Sequence, residues 1–334
     1  MMSDKREFLN AITSAGNIVL TTHVKPDGDA LGSMFGFASV LEQTGKKVFC
    51  YLDGAVSSHY SFLPLSDRVS SDLAELHSFT LGAGHDIAAI ILDCGDMKRI
   101  GDSFEEILTI HPSLVIDHHL GNKGFGDLNW IESHRSSTGE MVVDLVGELG
   151  YKISEEAAKC FYVAIVSDTG SFRYESTTAH TMKVAAGLIE KGVRPHEVMR
   201  DLYDNFPLGR IRLLQLVLGT LQVFLDNRVA IIRVDQEMLE RTGTTIDDTE
   251  EFVSHIRAIK GVRVAVFIKD IQQDRVSVSL RGNGSCDLSR AAAEFGGGGH
   301  RNAAGFRLAK GEGENLRDRL IQVLQSEMTR FDQA

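Results

Sequence analysis

The chain has 334 residues, of which 43% are hydrophobic, and a formal net charge of −11 at pH 7. It is long enough for two domains with a large core. The acidic balance argues against sequence-independent binding of long nucleic acid, because such binding needs a broad basic surface. It still allows a small phosphorylated ligand in a local cationic pocket.

Cysteine usage and hydropathy point to an ordinary intracellular protein. The four cysteines are scattered and form no CxxC pair, so we expect neither a disulfide framework nor a thiolate zinc site. The charged N-terminal segment lacks the apolar core of a signal peptide. No apolar run reaches the ~18 residues of a membrane span. We therefore predict a cytoplasmic location and no contact with a membrane.

The first half of the chain alternates apolar runs with amphipathic segments. The runs predict four strands, at 17–22, 47–52, 87–93 and 114–118. They are apolar throughout, as expected of strands that are covered on both faces. Segment 30–45, between the first two, is apolar at helical spacing. This order predicts an α/β domain with a parallel sheet and helices on both faces.

A helical block follows the fourth strand. Ser137 and Glu140 form the S-x-x-E pattern of a capping box before segment 139–149, which indicates the start of a helix. The other predicted helices are 154–168, which Ser154 would cap, 178–192, and 195–225 with a break near Pro207.

The pattern changes near residue 226, where alternating segments replace the fully apolar ones. Strands are predicted at 228–235, 262–271 and 275–280, and helices near 247–259, 286–295 and 314–330. This pattern is typical of a smaller α+β domain. The predicted division is 1–205 for the first domain, 206–227 for a helical linker and 228–334 for the second domain.

Acidic and imidazole side chains follow three of the predicted strands and end one predicted helix. Because the carboxyl ends of parallel strands share one edge of a sheet, we expect these groups to meet there. The residues are His23, Asp27, Asp29, Asp93, Asp96, Asp117, His118, His119 and Asp168. Each one alone has an ordinary alternative: Asp29 as a helix cap, for example, or a lone histidine as a core residue.

Taken together, these side chains favour bound cations. Each uncompensated carboxylate in a low-dielectric site costs on the order of several kcal/mol. Carboxylates with some imidazole suit two divalent ions, and the imidazoles favour Mn²⁺, with Mg²⁺ or Co²⁺ as substitutes. Two such ions about 3.5–4 Å apart are the usual machinery for attack on phosphorus. The residues therefore predict a two-metal phosphoesterase site.

Five ordered motifs resemble those of the DHH–DHHA1 phosphoesterases, and within that family those of the nano-RNase/pAp-phosphatase group. The motifs are HVKPDGDALGS, ILDCGD, VIDHH, SDTGSFRY and GGGGHRNAAGF. The likeness covers nearly the whole chain. It implies a Mn²⁺-dependent enzyme that degrades RNAs of about two to five nucleotides to mononucleotides. It also implies dephosphorylation of 3′-phosphoadenosine 5′-phosphate (pAp).

The resemblance also implies a role for each motif residue. His23 and Asp27 would bind one ion, Asp29, His118 and Asp168 the other, and Asp93 would bridge the two. Asp117 would orient an imidazole. His119 would lie beside the phosphate and stabilise charge or protonate the leaving group. Asp96 has no implied role, and we expect it to be structural.

A second set of residues is predicted to bind the substrate. Consecutive glycines let a backbone approach an anion closely, although such runs are often plain surface loops. In the family that the chain resembles, this loop binds the substrate end distant from the scissile phosphate, and Lys often stands where this chain has Arg301. The predicted residues are Arg173, Arg281, Gly298, Gly299, His300 and Arg301. Phe172 and Tyr174 are candidates for stacking on a base, but we interpret both as core residues.

Several functions remain open from the residues. One alternative is a phosphodiesterase for linear dinucleotides such as pApA or pGpG, or another phosphatase of the DHH superfamily that the chain resembles. Another is a non-catalytic nucleotide sensor, whose mark would be lost metal ligands. An exonuclease for long strands would need a basic groove, and a family-II-type pyrophosphatase would carry a Ser-Arg-Lys cluster that is absent from the sequence. Dimerisation is common in such relatives, and the sequence leaves it open.

Overall fold

The structure is a computed structural model, and it describes residues 4–271, 275–284, 286–299, 301–309 and 315–333. The chain divides into two compact units, Met1–Asn205 and Phe206–Ala334. Each unit has its own sheet. Among the residues described, no helix has the length and apolar character that a membrane span requires.

The first unit alternates strands with helices. Its strands are β1 (Asn17–Thr21), β2 (Lys47–Tyr51), β3 (Ile87–Leu92), β4 (Ser113–Asp117) and β5 (Leu128–Ile131). Its α-helices are α1 (Lys5–Ser14), α2 (Gly28–Gln43), α3 (Leu73–Ala83), α4 (Phe104–Leu108), α5 (Thr138–Glu148), α6 (Glu155–Asp168), α7 (Ala179–Glu190) and α8 (Pro195–Tyr203). Short 3₁₀ helices cover Ser58–Tyr60, Ser66–Arg68 and Met97–Ile100.

The strands of the first unit form a five-stranded sheet in the order β2-β1-β3-β4-β5. Every neighbouring pair is parallel. Alternate residues of β1 enter different apolar clusters: Ile18 and Leu20 pack with α2 and α6 on one face, and Val19 packs with α3 and α4 on the other. The predicted α/β fold with helices on both faces is therefore confirmed.

Helices α2 and α6 pack closely and antiparallel through small residues. A Cβ on Gly32 would lie 2.4 Å from the carbonyl oxygen of Cys160, and a Cβ on Gly28 would lie 2.0 Å from the Ser167 hydroxyl. The first turn of α2 therefore lies beside the last turn of α6. As a result, Asp29 at the start of one helix is close to Asp168 at the end of the other.

The second unit is built on a mixed sheet. Its strands are β6 (Gln222–Phe224), β7 (Val229–Asp235), β8 (Val264–Asp270), β9 (Arg275–Gly282), β10 (Gly298–Gly299) and β11 (Ala303–Ala309), in the sheet order β10-β11-β9-β8-β7-β6. Its helices are α9 (Leu208–Leu218), α10 (Gln236–Thr242), α11 (Phe252–Arg257), α12 (Leu288–Ala293) and α13 (Leu316–Asp332), with a 3₁₀ helix at Ile246–Thr249. Strands β7 and β8 are parallel and the other neighbours are antiparallel, so the α+β prediction is confirmed.

Several elements differ from the prediction, among them the segment after residue 195 and strand β5. The segment predicted as helical from 195 to 225 ends its second helix at Leu218, and Gln222–Phe224 forms β6 instead. This strand pairs with β7, a contact that local helical periodicity does not encode. Strand β5 was not predicted, because its short LNWI sequence carries a polar Asn129.

Candidate metal centre

The predicted metal ligands of the first unit converge at the carboxyl edge of its sheet. His23 and Asp27 follow β1, Asp93 follows β3, and His118 follows β4. The ligand atoms of three groups lie within 4.8 Å of one another in each group. These groups are His23–Asp27–Asp93, Asp29–His118–Asp168 and Asp93–His118–His119. The structure thus brings together seven side chains that the sequence scatters over about half of the chain.

Asp93 lies at the middle of this arrangement. Its Oδ2 is 3.7 Å from His23 Nε2, and its Oδ1 is 3.6 Å from His118 Nε2. The residue has a positive φ of 53°, which is uncommon outside glycine and tolerated best by Asp and Asn. The side chain is 2% exposed. Asp93 therefore has one oxygen towards each imidazole and belongs to two of the three groups.

Backbone carbonyls fix the ring orientations of two histidines. His23 Nδ1 lies 2.9 Å from the carbonyl oxygen of Val24, and His118 Nδ1 lies 3.3 Å from that of Arg135. A carbonyl only accepts, so each Nδ1 donates and each neutral ring keeps its Nε2 lone pair. The His118 Nε2 lies 3.6 Å from Asp29 and 3.5 Å from Asp168. This is the arrangement in which imidazole binds a metal.

His119 is held differently, by a carboxylate. Its Nδ1 donates to Asp117 Oδ1 at 2.7 Å, and the other oxygen of Asp117 accepts from Asn122 Nδ2 at 2.6 Å. Asp117 is fully buried. The Nδ1 atom is therefore occupied, and Nε2 of His119 lies 3.5 Å from Arg99 Nη1. Asn122 and Arg99 were not singled out from the sequence, where the side chains considered for this centre were acidic and imidazole groups near strand ends. Asn122 is an amide and Arg99 is a guanidinium.

The buried carboxylates shift one another's pKa values. Burial, together with the charge of Asp93, raises the pKa of Asp29 well above its ordinary value. Burial also raises the pKa of Asp168 to about 6, against the opposing charge of His118. Burial alone would lower the pKa of His118, but the charges of Asp168 and Asp29 raise it to about 10. Acidic groups that resist ionisation beside an imidazole that retains a proton indicate an excess of negative charge, which cations would neutralise.

Asp93 itself has a lowered pKa. Burial would raise it, but the hydrogen bond with His23 and the charges of His119 and His118 outweigh that effect. Its carboxylate is therefore ionised and already oriented towards the imidazoles. A carboxylate in this state is ready to accept a cation without losing a proton first.

Residues 135–139, which we call the 135–139 segment, form hydrogen bonds that orient the candidate ligands. The amides of Thr138 and Gly139 donate to Asp29 at 2.7 and 2.9 Å, and the Thr138 hydroxyl donates to Asp93 at 3.1 Å. The Arg135 carbonyl accepts from His118. The 135–139 segment therefore contacts three candidate ligands, mainly through backbone groups.

Only one of the two hydrogen bonds of the predicted capping box forms at the start of α5. Ser137 Oγ accepts from the Glu140 amide at 3.0 Å, as expected. The Glu140 carboxylate, however, accepts from Ser136 Oγ and Thr181 Oγ1, both at 2.6 Å. Glu140 therefore ties the start of α5 to α7 and does not close the cap.

Two further aspartates have helix-capping contacts. Asp27 is exposed and caps α2, since its Oδ1 accepts from the amides of Asp29 and Ala30 at 3.1 Å. The cap of α2 is thus Asp27, whereas Asp29 lies in the first turn. Asp96 caps the Met97–Ile100 helix through the Lys98 amide, which agrees with the structural role expected for it.

All three arginines of the predicted substrate-binding set have backbone partners in their own units, and Arg281 Nη1 donates to the Leu280 carbonyl at 3.2 Å. In the first unit, Arg173 Nε donates to the Gly170 carbonyl at 2.6 Å. In the second unit, Arg301 Nη2 donates to the Gly284 carbonyl at 3.3 Å, and its guanidinium lies 5.0 Å from the Phe331 ring centroid. Phe172 packs against the core beside Tyr162, as expected of a core residue.

The glycine run of the second unit lies partly in the sheet. Gly298 and Gly299 form β10, opposite Gly305 and Ala304 of β11. A Cβ on Gly299 would lie 2.5 Å from the Ala303 carbonyl oxygen, and its φ of +138° also favours glycine. Arg281 lies on β9, the neighbour of β11. His300 lies outside the described residues.

Two family models match the chain in order. The DHH family, N-terminal domain, matches residues 17–165, and the DHHA1 domain matches residues 226–329. A bifunctional oligoribonuclease and PAP phosphatase NrnA from Thermus thermophilus is 32% identical and covers 97% of this chain and 93% of its own. The protein of the same name from Bacillus subtilis is 30% identical, with coverages of 90% and 92%.

Solved structures share the fold. An exopolyphosphatase-related protein from Bacteroides fragilis superposes with a TM-score of 0.89 at 28% identity, covering 98% of this chain and 97% of its own. RecJ in complex with Mn²⁺ from Thermus thermophilus has a TM-score of 0.58 at 14% identity, covering 96% of this chain and 54% of its own. This chain belongs to the DHH–DHHA1 family and is a phosphoesterase.

Proposed function

We propose that this phosphoesterase uses two Mn²⁺ ions to hydrolyse oligoribonucleotides of about two to five nucleotides to mononucleotides. We propose pAp, which it would dephosphorylate, as a second substrate. The observation that carries the proposal is the position of Asp93, whose carboxylate oxygens lie within 4.8 Å of ligand atoms of both His23–Asp27 and His118–His119. A carboxylate between two ligand groups is what a pair of ions requires.

The donor set fits divalent ions of intermediate hardness. His23 and Asp27 would hold one ion, Asp29, His118 and Asp168 the other, and Asp93 both. Carboxylate oxygens with one imidazole per ion favour Mn²⁺, and Mg²⁺ or Co²⁺ would be substitutes. When bound, such ions act as Lewis acids on the phosphoryl group and neutralise its charge. The raised pKa values of Asp29 and Asp168 support this fit, because their carboxylates lack sufficient positive charge nearby.

We propose that His119 moves a proton at its Nε2 atom. The bond from Nδ1 to Asp117 fixes the ring. Burial would lower the pKa of His119, but the hydrogen bond with Asp117 and the charge of Asp93 raise it. The protonated ring then carries a second N–H at Nε2, which would stabilise charge on the phosphate or protonate the leaving oxygen. We assign this role to His119 and the orienting role to Asp117.

Substrate binding is proposed for the polar and glycine residues predicted from the sequence. These residues are Arg173, Arg281, Gly298, Gly299, His300 and Arg301. Two relatives that match this chain over at least 90% of both lengths are named for oligoribonuclease and PAP phosphatase activity, which supports short RNA and pAp as the substrate classes. Dimerisation and a cytoplasmic location stay predictions.

A phosphodiesterase restricted to linear dinucleotides is the main alternative within the same chemistry. The non-catalytic sensor is disfavoured because every predicted ligand position holds a side chain that can bind metal, and these side chains converge. The relative rates on a graded set of substrates separate the first alternative from the proposal.

The test is a substrate panel with the wild-type protein. RNAs of about two to seven nucleotides labelled at the 5′ end, the dinucleotides pApA and pGpG, and pAp are incubated with Mn²⁺ or with EDTA. We expect mononucleotide release from the short RNAs and phosphate release from pAp, both abolished by EDTA. Turnover of pApA and pGpG alone would favour the dinucleotide alternative. The absence of turnover on every substrate would refute the proposed function.

A further inference from the structure

We propose that Arg99 binds the scissile phosphate together with His119, an inference that rests on the proposed function. Arg99 Nη1 lies 3.5 Å from His119 Nε2. The His119 ring cannot turn away, because its Nδ1 is bonded to buried Asp117. The guanidinium and the reactive nitrogen of His119 therefore meet at one point beside the candidate metal ligands.

Two backbone hydrogen bonds anchor the main chain at Arg99. Its carbonyl accepts from the Val24 amide at 2.7 Å, which ties it to the loop that carries His23. Its amide donates to the Asp96 carbonyl at 2.9 Å. The next residue, Ile100, is fully buried. The position of residue 99 is thus fixed, while its side chain remains exposed.

The charge environment of Arg99 differs from that of Arg68 and Arg135, two other arginines of the first unit. Arg68 and Arg135 are paired with carboxylates at distances of 2.5 and 2.6 Å. Among the described residues, the Arg99 guanidinium has no ion pair with a carboxylate within 4.0 Å, and it contacts the imidazole of His119. In a protein with a net charge of −11, a cation without a carboxylate partner beside a histidine is well placed to receive an anion.

The chemistry of a guanidinium suits a phosphoryl group. Its N–H groups form a planar fork that matches two phosphoryl oxygens, and its charge persists at any working pH. Arg99 would therefore contact the oxygens that the metal ions leave open. It would serve mono- and diester substrates alike, since both present such oxygens.

The test compares Arg99→Met and Arg99→Lys with Lys98→Met. Lys98 is the neighbouring residue on the same 3₁₀ helix, is also exposed, and is a matched loss of one positive charge. We expect Arg99→Met to lower kcat/KM for pAp and for an RNA dinucleotide about 100-fold, the effect typical of losing one donor to a reacting oxyanion. Arg99→Lys should recover part of this loss, and Lys98→Met should stay within about twofold of wild type.

A binding measurement separates phosphate contact from a structural effect. Calorimetric titration of the Mn²⁺-loaded proteins with inorganic phosphate should show about tenfold weaker binding for Arg99→Met, with unchanged Mn²⁺ affinity and unfolding temperature. If Arg99→Met retains wild-type kcat/KM and phosphate affinity, the inference is wrong. Wild-type turnover in the same assays would leave the proposed function intact in that case. A wild type without turnover would count against the proposed function, and phosphate binding would still decide the role of Arg99.

Discussion

The Thr138 hydroxyl donates a 3.1 Å hydrogen bond to Asp93, and the Thr138 amide holds Asp29 at 2.7 Å. One residue at the start of α5 therefore orients two candidate ligands, Asp29 in the first turn of α2 and Asp93 after β3. Because supports of this kind keep metal ligands in place, their loss commonly lowers metal affinity or activity by about 10–100-fold.

Replacement of Thr138 tests this support. Thr138→Val keeps the shape and the amide but removes the hydroxyl, so we expect Mn²⁺ affinity and kcat/KM to fall by at least about tenfold. Thr138→Ser keeps the hydroxyl and is the matched control, which should stay near wild type. The measurements are Mn²⁺ titration and steady-state kinetics. Wild-type Mn²⁺ affinity in Thr138→Val would show that the hydroxyl does not position Asp93.

Replacement of Asp168 should lower activity without lowering the stability of the metal-free protein. Burial raises the pKa of Asp168 to about 6, so its carboxylate is held in an unfavourable charged state at pH 8. Asp168→Asn removes that charge with little change in shape. We expect kcat/KM to fall by at least about 100-fold, whereas the unfolding temperature in EDTA should be equal to that of wild type or higher.

The control for Asp168→Asn is the same thermal scan with Mn²⁺. The wild type should gain stability from the ion by mass action, and the variant should gain much less. Lower stability of Asp168→Asn in EDTA would contradict the excess negative charge that we infer for this site.

The close packing of α2 and α6 makes Gly32 a sensitive position. A Cβ there would lie 2.4 Å from the Cys160 carbonyl oxygen, so Gly32→Ala must push the two helices apart. We expect the free energy of unfolding to fall by about 1–3 kcal/mol. Mn²⁺ affinity should fall as well, because Asp29 and Asp168 lie at the adjoining ends of these helices.

Gly82→Ala is the matched control for that substitution. Gly82 lies in α3 and nothing would meet its Cβ within 4 Å, so alanine there should be neutral or stabilising by about 0.5–1 kcal/mol. Chemical denaturation measures both changes. Equal stability of the two variants would contradict the packing argument.

Asp127 lies just before β5 and accepts a hydrogen bond from the Ser113 amide at the start of β4. It predicts a pH dependence of stability that is independent of the metal centre. Burial would raise its pKa, but hydrogen bonds from His111 and Ser113 lower it. A lowered folded-state pKa means that the carboxylate stabilises the fold above its unfolded pKa of about 3.9. This stabilisation is lost as the pH falls through the folded-state pKa.

The stability of wild type and Asp127→Asn should therefore differ more at about pH 5.5 than at about pH 2.5. The difference in free energy of unfolding between the two proteins is the quantity to measure, since other groups titrate in both. A difference that stays constant or widens towards low pH would oppose the predicted direction.

The sequence predicts the candidate ligands well because they are charged side chains that follow apolar strands. His23, Asp93 and Asp117 each lie within two residues of a predicted strand end. The 135–139 segment escaped prediction because it acts through a carbonyl of Arg135 and amides of Thr138 and Gly139. Every residue except proline has both groups, so the sequence carries no mark of their use.

The parts of the fold that were not predicted depend on long-range pairing. Strand β10 consists of Gly298 and Gly299, and glycine is a poor strand former. Its strand conformation comes from pairing with β11. Strand β6 similarly depends on β7. In both segments, tertiary contacts override the local preference of the residues.

The central claim is that His23, Asp27, Asp29, Asp93, His118 and Asp168 together bind a pair of divalent ions. Titration of the metal-free protein with Mn²⁺, followed by electron paramagnetic resonance, measures this directly. We predict two ions per wild-type chain, with spectra of a coupled pair, and loss of that coupling in Asp93→Asn. A wild type that binds no Mn²⁺, or an Asp93→Asn variant that still binds a coupled pair, would contradict the account.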